Sequence, residues 1–152
     1  MTLMNAEDAP LALGTALGDG LVEGRLTKSI IGCFYEVYNT LGFGFLERVY
    51  AEALTDELEM RGHHVAREVV TNVAYKGRIV AQFKLDRLVD DRVVLEIKST
   101  QRLGKEDPRQ LLNYLRATKW EVGLLLHFGP QPAFYRLIST NRDIRKGTES
   151  TK

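Results

Sequence analysis

Residues 84–99 read Lys84-Leu85-Asp86-Arg87-Leu88-Val89-Asp90-Asp91-Arg92-Val93-Val94-Leu95-Glu96-Ile97-Lys98-Ser99. The apolar residues Val93, Leu95 and Ile97 alternate, the period of a half-buried strand. Asp90-Asp91 interrupts two such runs and marks a turn. On the second strand Glu96 and Lys98 share a face with Val94, opposite to Val93, Leu95 and Ile97. A carboxylate and an amine then stand side by side, roughly 7 Å apart by strand geometry. Asp86 shares a face with Lys84 and Leu88 on the first strand. A three-residue loop, Asp90-Asp91-Arg92, puts Asp86 opposite Glu96. A two-residue loop sends it to the other face, barring a bulge.

The flanking sequence supplies the rest of the order. Ile30, Phe34, Val37 and Leu41 recur at helical spacing, with Thr27 as N-cap. Gly42-Phe43-Gly44 interrupts the pattern, and a second helix runs from about Phe45 to Arg61 and stops at Gly62. Residues 65–75 and 78–89 read as strands joined at Lys76-Gly77, with Ile79, Ala81, Phe83 and Leu85 on one face. Asp107-Pro108 opens a third helix, Asp as cap and Pro at its first position. Residues 120–128 form a nearly continuous apolar run that suits a strand covered on both faces. Residues 133–138 make a last strand. The order is ααβββαββ, an α/β fold with helices packed on a mixed sheet. Residues 1–24 read as a mobile leader, residues 25–140 as one domain, and 141–152 as a polar basic tail.

With 152 residues the chain fits a single domain. One cysteine, Cys33, excludes an internal disulfide and a Cys-based zinc site. No apolar run reaches membrane-spanning length and no basic region precedes Leu11–Leu17, so a cytoplasmic home and no membrane partner are expected. Twenty-one Lys and Arg against 20 Asp and Glu leave +1, which argues against nucleic-acid binding driven by bulk charge. The charge is segregated, however. Residues 1–24 carry four acids and no Lys or Arg, and residues 61–109 hold eleven bases against seven acids.

Three polar features stand out against these patterns. Glu47 shares a helical stripe with Tyr50, Leu54 and Leu58. It is either a ligand facing the core or a first-turn acid favoured by the helix dipole. Asp86 and Glu96 form the second oddity. Two apposed carboxylates repel and raise one pKa, and an oxygen-seeking cation such as Mg²⁺ relieves them. The plain alternative is a solvated strand face with one ion pair. An acid followed two residues later by Lys is expected about once by chance in such a composition, and it occurs once. Gln110, in the first turn of the third helix, points either at this patch or at water. His63-His64 reads as a turn rather than a metal pair, and His127 as a core histidine. Neither Ser99 nor Cys33 has a base nearby in sequence, so a nucleophilic triad lacks support.

Together these pieces resemble the PD-(D/E)XK nuclease superfamily, through Asp86 and Glu96-Ile97-Lys98. Gly44-Phe45-Leu46-Glu47-Arg48-Val49-Tyr50 matches Gly-x-x-Glu-x-x-Tyr, and Gln110-Leu111-Leu112-Asn113-Tyr114-Leu115 resembles a QLLNYL block. Both are similar to the GxxExxY proteins, a bacterial and archaeal branch of that superfamily. The likeness runs from about Leu26 to Ile138. Phe43 stands where the branch usually has proline, Tyr38 where it often has histidine, and Leu85 where the superfamily's name has proline. None of these is an expected ligand.

The resemblance implies a restriction-endonuclease-like core and a Mg²⁺-dependent nuclease, with Mn²⁺ as substitute. Asp86 and Glu96 would hold the metal, aided by the Ile97 carbonyl, with Glu47 as a further ligand, direct or through water. Lys98 would position the attacking water, and Gln110 would contact water or phosphate. Tyr50 and Tyr114 would be supporting residues. DNA comes ahead of RNA as partner, and a homodimer is permitted. The alternative is a catalytically silent module that binds nucleic acid or protein on the same fold. Setting aside the four leader acids and the three expected ligands leaves 21 bases against 13 acids, consistent with a modestly basic surface around an acidic cleft.

Overall fold

A computed structural model describes residues 22–140. The expected tail lies outside the described residues, as does nearly all of the expected leader. The elements follow the expected order: α1 (Gly24–Leu41), α2 (Glu47–Met60), β1 (Val65–Tyr75), β2 (Arg78–Val89), β3 (Val93–Lys98), α3 (Glu106–Ala117), β4 (Val122–Phe128) and β5 (Pro132–Ile138). The strands lie in the order β1-β2-β3-β4-β5. Among the described strands only β3 and β4 are parallel, because α3 carries the chain from one to the other. The sheet is therefore mixed, and helices cover both of its faces.

Strand alternation splits the core in two. Val93, Leu95 and Ile97 of β3 join Leu124 and Leu126 of β4 beneath α1 and α2. Val94, Leu125 and Leu137 turn the other way, against Leu111 and Leu115 of α3. All seven residues of β4 are buried, which accounts for its unbroken apolar run.

Helix starts depart from the sequence reading. α1 begins three residues before Thr27, whose hydroxyl bonds back to the Glu23 and Gly24 carbonyls. α3 begins at Glu106, so Pro108 is its third residue, and the Asp107 carboxylate accepts from the Gly104 N–H at 2.9 Å. Thr27 and Asp107 do satisfy local backbone groups, but packing decides where each helix begins. The stop of α2 is as read. Gly62 has φ 89°, its N–H bonds Glu59, and the next N–H, of His63, bonds the Leu58 carbonyl. These are the paired bonds of a Schellman motif.

That motif aims His63 at the β2–β3 turn. His63 lies 2.8 Å from Asp90 Oδ2 through Nδ1 and 2.8 Å from Ser29 Oγ through Nε2. The His64 N–H donates to Asp90 Oδ1, and the Asp90 N–H donates to the His64 carbonyl. Asp90 and Asp91 both take positive φ, at 52° and 53°. The turn is thus pinned from α1 and from the end of α2. The serine, histidine and aspartate are linked in the order of a hydrolytic triad, which sequence spacing did not suggest. Ser29 lies inside α1, where neighbouring N–H groups are spent on the helix ladder, so no oxyanion donor is at hand.

The pairs Arg87↔Leu95, Leu88↔Val94 and Val89↔Val93 enclose three residues, Asp90-Asp91-Arg92. This is the loop length that sets Asp86 across from Glu96. On the same hairpin the face shared by Ile79, Ala81, Phe83 and Leu85 is exposed at Ile79 and Ala81 and buried at Leu85. β3 is only six residues long, so the outer part of β2 has no body to pack on.

Asp90→Ala removes the carboxylate that holds His63 and His64 and places a residue ill-suited to positive φ at the turn. It should cost on the order of 2–3 kcal/mol in urea unfolding, whereas Asp91→Asn should change little. The Asp90 carboxyl is opposed by burial but held below its usual pKa by the hydrogen bonds of His63 and His64. Its contribution is complete above the unfolded-state pKa, near 3.8, and is lost as pH falls through the lower folded value. Asp90→Ala should therefore lose the carboxylate's share of its penalty in acid and keep the share due to positive φ.

Candidate active site

The site forms where β2 and β3 part. One step beyond Arg87↔Leu95 the ladder gives way, and the Asp86 side chain takes the place of backbone. Its Oδ2 accepts the Ile97 N–H at 2.8 Å. That bond fixes the carboxylate beside β3 and leaves Oδ1 for another partner. On β1, between the pairs Arg67↔Arg87 and Val69↔Leu85, Glu68 has φ 47°. Leu85 and Leu88 both reach the core under α3, so strict alternation fails around Asp86.

Glu96 is the most perturbed acid of the site. Its side chain is 15% exposed, and Oε2 is buried without a hydrogen-bond partner. Burial first, and the Asp86 charge second, push its carboxyl up to about 7, against relief from Lys98. Lys98 Nζ stands 3.8 Å from Glu96 Oε1, the pairing expected of residues two apart on one strand face. Glu47 and Asp107 add to the negative field on Glu96. Asp107 was read from sequence only as a cap, and nothing in its spacing tied it to the acids.

Glu47 is the first residue of α2 and is exposed as a residue. Its carboxyl is nonetheless raised, by lost hydration and then by Asp86, with Lys98 opposing. Glu47 thus lies in the first turn and is exposed, while still feeling the charges of Asp86 and Lys98. Tyr50, one turn on, explains the spacing of the motif. Its hydroxyl donates to the Gly42 carbonyl at 2.5 Å and accepts the Phe45 N–H at 3.2 Å, while its ring stacks on Phe128. Tyr50 therefore anchors the loop that leads into α2 and sets where Glu47 begins.

Gln110 is not brought to the carboxylates directly. It is exposed, and its amide donates to the Tyr114 hydroxyl at 2.6 Å. Tyr114 feels the site: burial and then Glu96 raise its pKa. Its ring stacks on Phe83 of β2 at 3.9 Å. His127 lies beside Lys98 across the parallel pair, but its Nε2 is 2.7 Å from the Thr100 carbonyl and burial lowers its pKa. It is neutral near pH 7, a core histidine as read.

Asp86, Glu96, Lys98 and Glu47 thus share one electrostatic site, with Gln110 joined through Tyr114. Among the described residues no group of three or more His, Cys, Asp or Glu is gathered closely enough to be a preformed metal cage. The donor chemistry still suits a hard cation. Asp86 has one oxygen uncommitted, and Glu96 has a buried oxygen without a hydrogen-bond partner, which a cation would satisfy.

A model of the PD-(D/E)XK nuclease superfamily matches residues 24–137. The chain belongs to that superfamily, and its fold is the superfamily's. The crystal structure of a protein named SSO0001 is similar at 20% identity, with a TM-score of 0.47, over 85% of this chain and 67% of the other. No curated protein matches the chain significantly. Among the described residues no helix is long and apolar enough to cross a membrane.

Two predictions follow from the geometry. Because the Glu96 pKa is raised on folding, the metal-free protein should lose stability as pH climbs from about 4.5 to about 7 and level off above. Glu96→Gln should remove this slope and stabilise the metal-free protein at pH 8, by at most on the order of 3 kcal/mol, in thermal melts. Tyr50→Phe should cost roughly 1–3 kcal/mol, because it strips bonds from the Gly42 carbonyl and the Phe45 N–H. Faster amide exchange at Phe45 would report the loosened loop.

Proposed function

We propose that this chain is a divalent-metal-dependent phosphodiesterase acting on nucleic acid, DNA ahead of RNA, and a member of the GxxExxY branch. The observation that carries the reading is Glu96, a carboxyl at about 7 with a buried, unpartnered oxygen, set beside Asp86 and Lys98. A stability-minded core would not retain that arrangement. Asp86 and Glu96 would hold Mg²⁺ or Mn²⁺, with Glu47 reaching the same ion directly or through water. Such an ion supplies polarisation of the phosphate and a more acidic bound water.

The chain's own residues do the remainder. Lys98 stands 3.8 Å from Glu96, and its ammonium can orient the attacking water and offset charge on the phosphate. The Ile97 N–H holds Asp86 in one orientation, so the carboxylate need not reorganise during the reaction. Gln110 and Tyr114 form a hydrogen-bonded pair whose remaining donors and acceptors can position water or a phosphate oxygen. Glu47 at the start of α2 closes the acid cluster from the opposite layer.

A second reading has one observation in its favour: the acids do not form a ready-made cage. On that reading the fold binds nucleic acid or protein without cutting.

The test uses single-stranded, duplex and branched DNA, and RNA, with Mg²⁺, Mn²⁺ or EDTA. Cleavage should require the metal. Lys98→Ala should slow it by about 100-fold or more while leaving the Mg²⁺-induced rise in Tm intact. Glu96→Gln should abolish both cleavage and that rise. Cleavage that survives EDTA and Lys98→Ala would overturn the enzyme reading. No cleavage, with no shift in Tm on adding Mg²⁺, would favour the silent module.

A further inference from the structure

The outer half of the β1–β2 hairpin is a free-standing arm. β3 pairs with β2 only at Arg87–Val89, while β1 stays paired along β2 as far as Arg78. Beyond Leu85, β1 is thus the only strand beside β2 among the described residues. The Phe83–Tyr114 stack steadies the base of the arm, and the turn at Lys76-Gly77 forms its tip. From Asp86 to that tip are nine residues, about 30 Å of strand. A two-stranded ribbon of this kind gains little stability by itself. Its side chains are also exposed: Val70 by 54%, Tyr75 by 61%, Ile79 by 57% and Val80 by 47%.

The composition of the arm is one-sided. Residues 69–85 contain Lys76, Arg78 and Lys84 and no Asp or Glu, between Glu68 and Asp86. In the whole chain, acids and bases are nearly equal. The pairs Val70↔Lys84, Asn72↔Gln82 and Tyr75↔Arg78 place cations, amides and an aromatic ring on the outer part of the ribbon. Gln82 donates to Asn72 at 2.9 Å, so this amide pair is ordered across the strands. Lys76 Nζ lies 5.4 Å from the centre of the Tyr75 ring.

We infer that this arm is a nucleic-acid-binding element that grips the sugar–phosphate backbone leading away from the Asp86–Glu96 site. The inference rests on the phosphodiesterase reading and adds how its polymer substrate is held. Charge selects the occupant: Lys76 and Arg78 at the tip have no acid near them in sequence, Lys84 stands at the base beside Asp86, and this cationic run suits phosphates, while the amides and Tyr75 suit sugar and base edges. The arm's length corresponds to about nine nucleotide steps. A second copy of the chain would meet the same three cations with three of its own.

The test measures binding of the full chain to a labelled 30-base-pair duplex, and to one of its strands, in EDTA at several salt concentrations. The arm variant is Lys76→Ala/Arg78→Ala/Lys84→Ala. A control, Arg25→Ala/Lys28→Ala/Arg116→Ala, removes equal charge from α1 and α3. The arm variant should bind about tenfold more weakly or worse, with a salt slope shallower by roughly 2–3. The control should bind much more nearly like the unmodified chain. Replacing Lys76 and Lys84 by Arg should preserve binding, which separates charge from damage to the hairpin.

Equal affinity and slope for the arm variant and the unmodified chain would overturn the arm proposal alone. Failure of the unmodified chain to bind either DNA would overturn it together with the reading on which it rests. Sedimentation showing that the arm variant breaks a dimer, at unchanged DNA affinity, would assign the arm to a second copy instead.

Discussion

Val89 faces Val93 across three residues, and the placement of Asp86 against Glu96 depends on that register. With the turn at this length, Asp86 arrives opposite Glu96, and its carboxylate can accept the Ile97 N–H just where the ladder opens. A shift by one residue would send Asp86 to the other face. Turn length is a soft constraint in an isolated hairpin. Here it is hardened by bonds from His63 and His64 to Asp90, and by the tie from His63 to Ser29 on α1. The end of α2 thereby controls the register of a hairpin far from it in sequence.

The acids so gathered are in electrostatic conflict. Glu96 loses hydration and faces Asp86, Glu47 and Asp107, against Lys98 alone. A protein selected only for stability would relax this, because a lone buried charge costs several kcal/mol. The strain is confined to one end of β3. The remainder of β3 and all of β4 are packed between two apolar layers. A rigid strand is a good platform for a strained site, since it leaves the carboxylates few other positions. Glu47 reaches the same field from α2 because Tyr50 anchors the loop before it.

Much of this was legible from residue order. The alternation of Val93, Leu95 and Ile97, the apolar run of β4 and the glycine that ends α2 each have a local physical cause. Residue patterns located them to within a residue or two. Glu47, Asp86, Glu96 and Lys98 stood out as polar groups on apolar patterns, and the structure brings them into one field. Helix starts were less legible. Thr27 and Asp107 have the chemistry of caps, but α1 and α3 begin before them. The Ser29–His63–Asp90 tie and the pressure of Asp107 on Glu96 left no sequence signal, because their partners come from separate elements. That the tip of β2 is uncovered was not legible, because alternation reveals a strand's two faces and not whether anything covers them.

By itself, the sequence determined the order of elements, the split of the strands into inward and outward faces, and the residue types available for chemistry. These follow from local periodicity and turn propensity, which act over a few residues. Tertiary structure decided which polar residues share a field, that Gln110 reaches it through Tyr114, and that the β1–β2 ribbon projects beyond the sheet. Each of these depends on where separate elements end relative to one another. That relation is set by packing in the two cores and by the bonds that pin Asp90 and Asp86, and it acts across the whole domain rather than along the chain.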